Sequence, residues 1–162
     1  MQFKIEQLAL HPRNPALAIE LLSEMGLAEW ARDHVVADGQ VRGVAGTNEA
    51  DLAFNYESTK GDKPLELEVL NYTTGAHWME IYEPSASHIG MHCSEEELLE
   101  WTKFFTSRGI QIAQQVNTRS HTNPVIAGKR SYTYTIFHTR PVLGIDCKFI
   151  VRRDVNEQAA GA

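Results

Sequence analysis

The 162-residue sequence has two cysteines, no long apolar run and no excess of basic residues, and each shortage excludes a class of protein. Two cysteines are too few for a disulfide scaffold, and Cys93 and Cys147 lie among apolar neighbours, which predicts buried free thiols. No apolar stretch approaches the roughly 20 residues that cross a bilayer, and the first residues mix charged and apolar side chains, unlike a signal peptide. We therefore expect a soluble, cytoplasmic protein without a membrane partner.

Basic residues are outnumbered, with 15 Lys and Arg against 21 Asp and Glu and a net charge of -6. A nucleic-acid surface needs a concentrated basic face that replaces the counterions around phosphates. We expect no nucleic-acid partner. With 43% hydrophobic residues, the chain can bury a core as one compact domain or as two small fused modules.

The clearest local pattern covers residues 87–111 and predicts a strand, a capped helix and the start of another strand. Because side chains alternate along a strand, His88 and His92 share one face while Ile89 and Met91 share the other. The strand therefore has an apolar face and a face that carries imidazoles.

The helix of this unit has clear start and stop signals. Ser94 and Glu97 have the spacing of a capping box, and Gly109 supplies the stop. Its predicted buried stripe consists of Leu98, Trp101 and Phe105. The glutamates of the first turn need no explanation beyond the helix dipole.

A similar unit occurs near the N-terminus, where Asn14 and Pro15 open a helix and Gly26 closes it. We expect its apolar face to consist of Leu17, Ala18, Leu21, Leu22 and Met25. Aligning the two units places Gln7 opposite His88, 81 residues later, which is far longer than the period of a solenoid repeat. The chain reads as two copies of one module.

Three further strands are predicted in each half. In the first half they cover 35–44, 51–57 and 65–72, with a hairpin turn at Asp38-Gly39 or at 46–48; in the second they cover 110–117, 132–138 and 144–153, with a loop at 118–130. Each half therefore runs βαβββ. We assign the first module to 1–75, a connection to 76–84, the second module to 85–154 and a disordered tail to 155–162.

Strand parity predicts that polar side chains from both halves share one face of the sheet. The apolar positions facing the helices are Leu8, Leu10, Leu67, Val69, Ile89, Met91, Phe149 and Val151. The opposite face then carries Gln7, Glu66, Glu68, His88, His92, Asp146 and Lys148. This set is too polar for an ordinary core and indicates a cavity.

Four segments resemble the vicinal oxygen chelate superfamily, which includes glyoxalase I, extradiol dioxygenases, epimerases and bleomycin- and fosfomycin-resistance proteins. They are EQLAL with the later MGL, LELEVLNY, SHIGMH with its helix and RGI, and the terminal DCKFIVRR. The resemblance covers about residues 3 to 153. It implies an α+β fold in which two βαβββ modules form a curved mixed sheet around a cavity, with a divalent metal bound by the first and last strands of each module.

Carried over by position, the resemblance places Gln7, Glu68 and His88 at three metal positions, for Fe²⁺, Mn²⁺, Ni²⁺ or Zn²⁺. The fourth position is Lys148, and an ammonium has no lone pair to give a metal. Two interpretations remain. Either Lys148 and Glu68 are catalytic beside a bound metal, or they form an ion pair in a metal-free site.

The candidates for substrate contact are His92, Trp78, Tyr134 and His138. His92 lies about 13 Å along its strand from His88, too far to share one ion, so we expect it to line the pocket or form hydrogen bonds. Trp78 in the connection either covers a ligand or closes an edge of the core. Tyr134 and His138 share a strand face, which sheet packing explains equally well.

The first functional hypothesis is a metal-dependent enzyme of the glyoxalase or dioxygenase type, acting on a small oxygenated molecule chelated through vicinal oxygens. The alternative is a metal-free small-molecule-binding protein, similar to the bleomycin-resistance relatives, with a Glu68–Lys148 ion pair in the empty metal site. A catalytically silent structural member is a third hypothesis. Because relatives pair their modules within a chain or across a dimer, we expect a symmetric homodimer.

Overall fold

The computed structural model describes residues 1–57, 64–74, 87–120, 122–123 and 126–154. The predicted connection at 76–84 and the predicted tail at 155–162 lie outside the described residues. In chain order the elements are β1 (Gln7–Leu10), α1 (Pro15–Glu24), β2 (Ala31–Val41), β3 (Val44–Asn55), β4 (Glu66–Thr74), β5 (His88–His92), α2 (Glu95–Thr106), β6 (Ile112–Ser120), β7 (Arg130–Phe137), α3 (Arg140–Leu143) and β8 (Asp146–Asp154).

The eight strands form one mixed sheet that closes on itself, in the order β1-β4-β3-β2-β6-β7-β8-β5. In each half the first strand lies parallel to the last, β1 beside β4 and β5 beside β8. The halves meet at two antiparallel seams, β1 with β5 and β2 with β6. The predicted α+β fold of two βαβββ modules is confirmed, with the short helix α3 as an addition in the second half. The modules pair within one chain, and a homodimer stays a prediction.

The seam between β2 and β6 depends on a glycine. Gly39 pairs with Val116 across the seam. A Cβ atom at position 39 would lie 2.2 Å from the carbonyl oxygen of Gln115 and 2.7 Å from the Cα of Val116. Both are backbone atoms that cannot swing aside, so the two modules approach closely here only because residue 39 has no side chain.

The predicted strand parity is confirmed for Val69, Met91 and Phe149, which face the helices. Under α2, Trp101 and Phe105 pack with Met91 and Phe149 in one cluster. Under α1, the cluster includes Val69 of β4. The polar positions of the same strands therefore face the interior, as expected from the alternation of side chains.

The start of α2 also matches the prediction. The Ser94 hydroxyl accepts a hydrogen bond from the Glu97 backbone N–H at 3.1 Å, and the Glu97 carboxylate accepts one from the Ser94 N–H at 2.8 Å. This capping box satisfies two N–H groups that would otherwise lack partners. It fixes the start of the helix that covers the second module.

The predicted apolar face of α1 is correct for Leu22 but wrong for Leu17, Leu21 and Met25. Leu17, Leu21 and Met25 are 58%, 56% and 70% exposed, whereas Ile19 is buried and Leu22 packs beside it. The helix sequence PALAIELLSE has apolar side chains on nearly every side, so its periodicity does not single out one face. Contact with β3 and β4 selects the face that carries Ile19.

The predicted hairpin turn is also wrong. The β2–β3 hairpin turns at Arg42 and Gly43, which have φ angles of 48° and 79°, and its closing pair is Val41 with Val44. Two positive φ angles give the turn the twist that matches its flanking strands. The strands are therefore longer than predicted, and positions 38–39 and 46–48 lie inside them.

Both cysteines are free; Cys147 is buried and Cys93 half-buried. Burial raises the pKa of both thiols, that of Cys93 to about 11. Neither is therefore an activated nucleophile. Across the described ranges, no helix has the length and apolar content needed to span a membrane.

Candidate functional site

Four side chains from four adjacent strands meet in the interior of the closed sheet. Gln7 on β1, Glu68 on β4, His88 on β5 and Lys148 on β8 are all 3% exposed or less. The sheet order β4-β1-β5-β8 brings them together, because each occupies an inward position of its strand. Each module thus contributes two of the four residues.

The distances within this tetrad are short. His88 Nε2 lies 3.3 Å from Gln7 Oε1 and 3.6 Å from Glu68 Oε2. Lys148 Nζ donates a hydrogen bond to the same Glu68 oxygen at 3.4 Å. Since His88 Nε2 faces two acceptor oxygens, this nitrogen carries its proton and acts as a donor.

The tetrad is held in place by its neighbours. The Gln7 amide nitrogen donates a hydrogen bond to Glu66, which turns the amide oxygen of Gln7 towards His88. Gly90 of β5 leaves room for this arrangement, because a Cβ atom there would lie only 3.0 Å from the Gln7 amide oxygen. The Gln7 side chain is therefore fixed between β1 and β5.

Lys148 and Glu68 form a buried pair of opposite charges. Burial by itself would raise the pKa of Glu68, but the Lys148 ammonium and the His88 side chain outweigh it and hold that pKa below 4.5. The ammonium also lies over the Tyr134 ring, 4.1 Å from its centre, where the electron-rich face favours a cation. Glu68 is therefore ionised, and Lys148 supplies the matching positive charge.

The tetrad does not fit a resident divalent metal. The distances from His88 to Gln7 and to Glu68 are suitable, since tetrahedral ligands about 2.1 Å from one ion lie about 3.4 Å apart. However, the fourth corner holds the Lys148 ammonium, which already neutralises Glu68 and would repel the ion. Among the residues that the structure describes, no three His, Cys, Asp or Glu side chains form a group that could hold a metal ion.

Two cavities adjoin the tetrad. The inner cavity, about 30 Å³ in volume, lies beside Glu68, His88 and Lys148. The outer cavity has a volume of about 380 Å³ and reaches from Gln7 to the arginines Arg130 and Arg152. The inner cavity is about large enough for a water molecule, so only the outer one has room for an organic ligand.

Two of the four predicted substrate residues line the cavities. Tyr134 lines both cavities, and His92 lines the outer one with its Nδ1 3.2 Å from a carboxylate oxygen of Glu6. His138 lies beyond the end of β7 and pairs with Asp146 at 3.5 Å, outside the walls of both cavities. The structure therefore does not bring His138 to the tetrad. Trp78 lies outside the described residues.

Thr118 is a cavity residue that the sequence analysis missed. It lies between the two cavities, is 2% exposed, and its hydroxyl makes no hydrogen bond of normal geometry with a described residue. It lies close enough to Tyr134 to oppose the rise in the pKa of that phenol, which burial and the charge of Glu68 cause. Thr118 has the same position in the strand alternation as Gln114 and Val116. Because the predicted strand ended at residue 117, this alternation was not extended to Thr118.

Acid should remove the stabilisation that the buried pair contributes. The pKa of Glu68 is below 4.5 in the folded state, so the unfolded chain binds more protons as the pH falls below 4.5. The contribution is fully present above pH 4.5 and is lost as the pH falls through the folded-state pKa. The gap between the unfolding free energies of the parent and Glu68→Gln, measured in urea, should be larger at pH 6 than at pH 3. An equal gap at both pH values would contradict an ionised Glu68.

No protein-family model matches the sequence, and a search of curated proteins gave no match. Among solved structures, a methylmalonyl-CoA epimerase variant from Streptomyces coelicolor in complex with 2-nitronate-propionyl-CoA matches with a TM-score of 0.54 at 11% identity, over 93% of this chain and 98% of its own. A hypothetical protein from Bacillus halodurans has a TM-score of 0.45 at 13% identity, over 95% and 97% of the two chains. A selenomethionine methylmalonyl-CoA epimerase has 0.44 at 10% identity, over 91% and 93%.

Proposed function

Because the chain has the vicinal oxygen chelate fold, we propose that it binds a small molecule between its two modules without a resident metal ion. The observation that carries this proposal is the Lys148 ammonium, 3.4 Å from the Glu68 carboxylate at the fourth corner of the tetrad. The Lys148 cation neutralises the Glu68 carboxylate there, as a bound metal ion would. This function is the second of the three functional hypotheses drawn from the sequence.

The outer cavity supports the proposal by its size and lining. Its volume of about 380 Å³ lies within the range of small-molecule sites. Aromatic side chains, including Phe54, Tyr56, Tyr132 and Tyr134, share its walls with polar groups. The Streptomyces epimerase of the same fold is in complex with 2-nitronate-propionyl-CoA, so this fold does accommodate a small molecule.

A metal-dependent enzyme acting on vicinal oxygens is the second candidate. The separations of 3.3 and 3.6 Å from His88 Nε2 to Gln7 Oε1 and Glu68 Oε2 favour it. In that case Glu68 and Lys148 are the residues placed to act on a substrate. The candidate requires an ion to enter beside an ammonium, and Lys148 therefore argues against it.

Metal analysis separates the two candidates. Protein purified without chelator or affinity tag should contain far less than one divalent ion per chain. Added Mn²⁺, Fe²⁺, Ni²⁺ or Zn²⁺ should leave its melting temperature unchanged, because a ligand stabilises a protein only by binding its native state. One ion per chain, lost in a Glu68→Ala/His88→Ala double variant, would instead establish the metal-dependent candidate. Cys93→Ala is the matched control for metal held by a half-buried thiol.

A further inference from the structure

The carboxylates in the wall of the outer cavity already accept hydrogen bonds from the protein. Asp33 Oδ1 accepts hydrogen bonds from the Ser120 hydroxyl at 2.9 Å and from the Asn123 backbone N–H at 3.1 Å. Glu66 accepts hydrogen bonds from the Gln7 amide and, at 2.7 Å, from the Tyr56 hydroxyl. Their negative charges are therefore stabilised by the protein itself and do not require a cationic ligand.

Two arginines lie close together in the wall of the same cavity. Arg130 and Arg152 both line it, and both guanidiniums reach one carboxylate oxygen of Asp154. Arg130 Nε lies 3.4 Å from that oxygen, and Arg152 donates to it from two nitrogens at 2.9 and 2.6 Å. Two guanidiniums thus share a single carboxylate, and donor capacity remains for an anion.

Two tyrosines of β7 are neighbours of these arginines in the sheet. Tyr132 pairs in register with Arg152 across β7 and β8, and its ring is stacked 6.0 Å from that of Tyr134. Both rings line the cavity. Thr118 of β6, which pairs in register with Tyr132, adds a buried hydroxyl to the same wall.

We propose that the outer cavity binds a small aromatic carboxylate, with the acid group on Arg130 and Arg152 and the ring against Tyr132 and Tyr134. Guanidiniums bind carboxylates through paired charge-assisted hydrogen bonds, and tyrosines supply a flat apolar surface. A volume of about 380 Å³ accommodates one or two fused rings. This inference rests on the proposed function and specifies its class of ligand.

Calorimetric titration with 2-naphthoate and its neutral analogue 2-naphthamide tests the inference. The acid should bind the parent protein about tenfold more tightly than the amide, since the two differ only in the charged group. An Arg130→Gln/Arg152→Gln variant should lose this preference while still binding the amide. Higher NaCl concentration should weaken binding of the acid and leave that of the amide unchanged.

Arg153→Gln is the matched control. Arg153 is the neighbour of Arg152 on β8 but pairs with Glu95 and Thr133, and it does not line the cavity. Its replacement should leave the preference for the acid intact. Circular dichroism of each variant checks that the fold is retained.

The outcomes separate this inference from the proposed function. Equal affinity of the parent for acid and amide would overturn the acid preference but leave ligand binding in the cavity in place. The inference is also overturned if 2-naphthoate fails to bind at about 1 mM. In that case a thermal-shift screen with neutral and cationic aromatic compounds tests the proposed function on its own. An acid preference that survives in the double arginine variant would place the anion elsewhere.

Discussion

Replacing Lys148 by Glu should lower the melting temperature of the metal-free protein by about 10 °C, because breaking a buried ion pair costs about 3–5 kcal/mol. The new carboxylate would face Glu68 inside the closed sheet, where both are shielded from water. The same variant should bind Mn²⁺ or Zn²⁺, since an ion relieves the repulsion between the two carboxylates. Differential scanning calorimetry with and without the ion measures both effects.

Lys148→Met is the control for the loss of the ammonium alone. It leaves Glu68 without its cation but adds no metal ligand, so it should destabilise the protein without producing tight ion binding. If Lys148→Glu matched the parent in both melting temperature and ion affinity, the ammonium would not be what keeps the site free of metal. The proposed metal-free function would then lose its main support.

Gly39→Ala should lower the free energy of unfolding by about 3 kcal/mol, at the upper end of what overpacking costs. The added Cβ would meet the backbone of Gln115 and Val116 at 2.2 and 2.7 Å, and neither strand can move without opening the seam between modules. Urea denaturation measures the loss.

Gln40→Ala, the next residue on the same strand, is the control for Gly39→Ala. Gln40 is exposed, so this replacement should change stability by less than about 0.5 kcal/mol. If Gly39→Ala were equally mild, the close approach of β2 to β6 would have to relax at little cost. The seam would then be more adaptable than its backbone contacts indicate.

The tetrad was predictable from the sequence because it depends on strand parity. Gln7, Glu68, His88 and Lys148 fall at matching positions of two similar modules, and alternation alone sends them to one face. Their convergence in space follows once the strand order is known. The sequence could not decide how Lys148 is placed, because that depends on its distances to Glu68 and to the Tyr134 ring.

Features that depend on a choice between similar local options were not predictable. Helix α1 carries apolar side chains on several sides, and tertiary contact alone decides that Ile19 is buried and Leu17 exposed. The hairpin turns at Arg42-Gly43, although Asp38-Gly39 has the more typical turn composition. In the sequence, His138 continues the alternation of β7, but the strand ends one residue earlier, at Phe137.

The order of strands in the closed sheet also determines which strand edges have no partner while the chain is being synthesised. The first module, read alone, has β1 and β2 at its two edges, and both acquire their partners, β5 and β6, only from the second half of the chain. Glu68 likewise meets Lys148 across a separation of 80 residues. During synthesis, the nascent first half therefore has two open edges and a carboxylate without its cation. The second half completes the buried charge pair and the edges together, so an incomplete chain is the form most prone to aggregation.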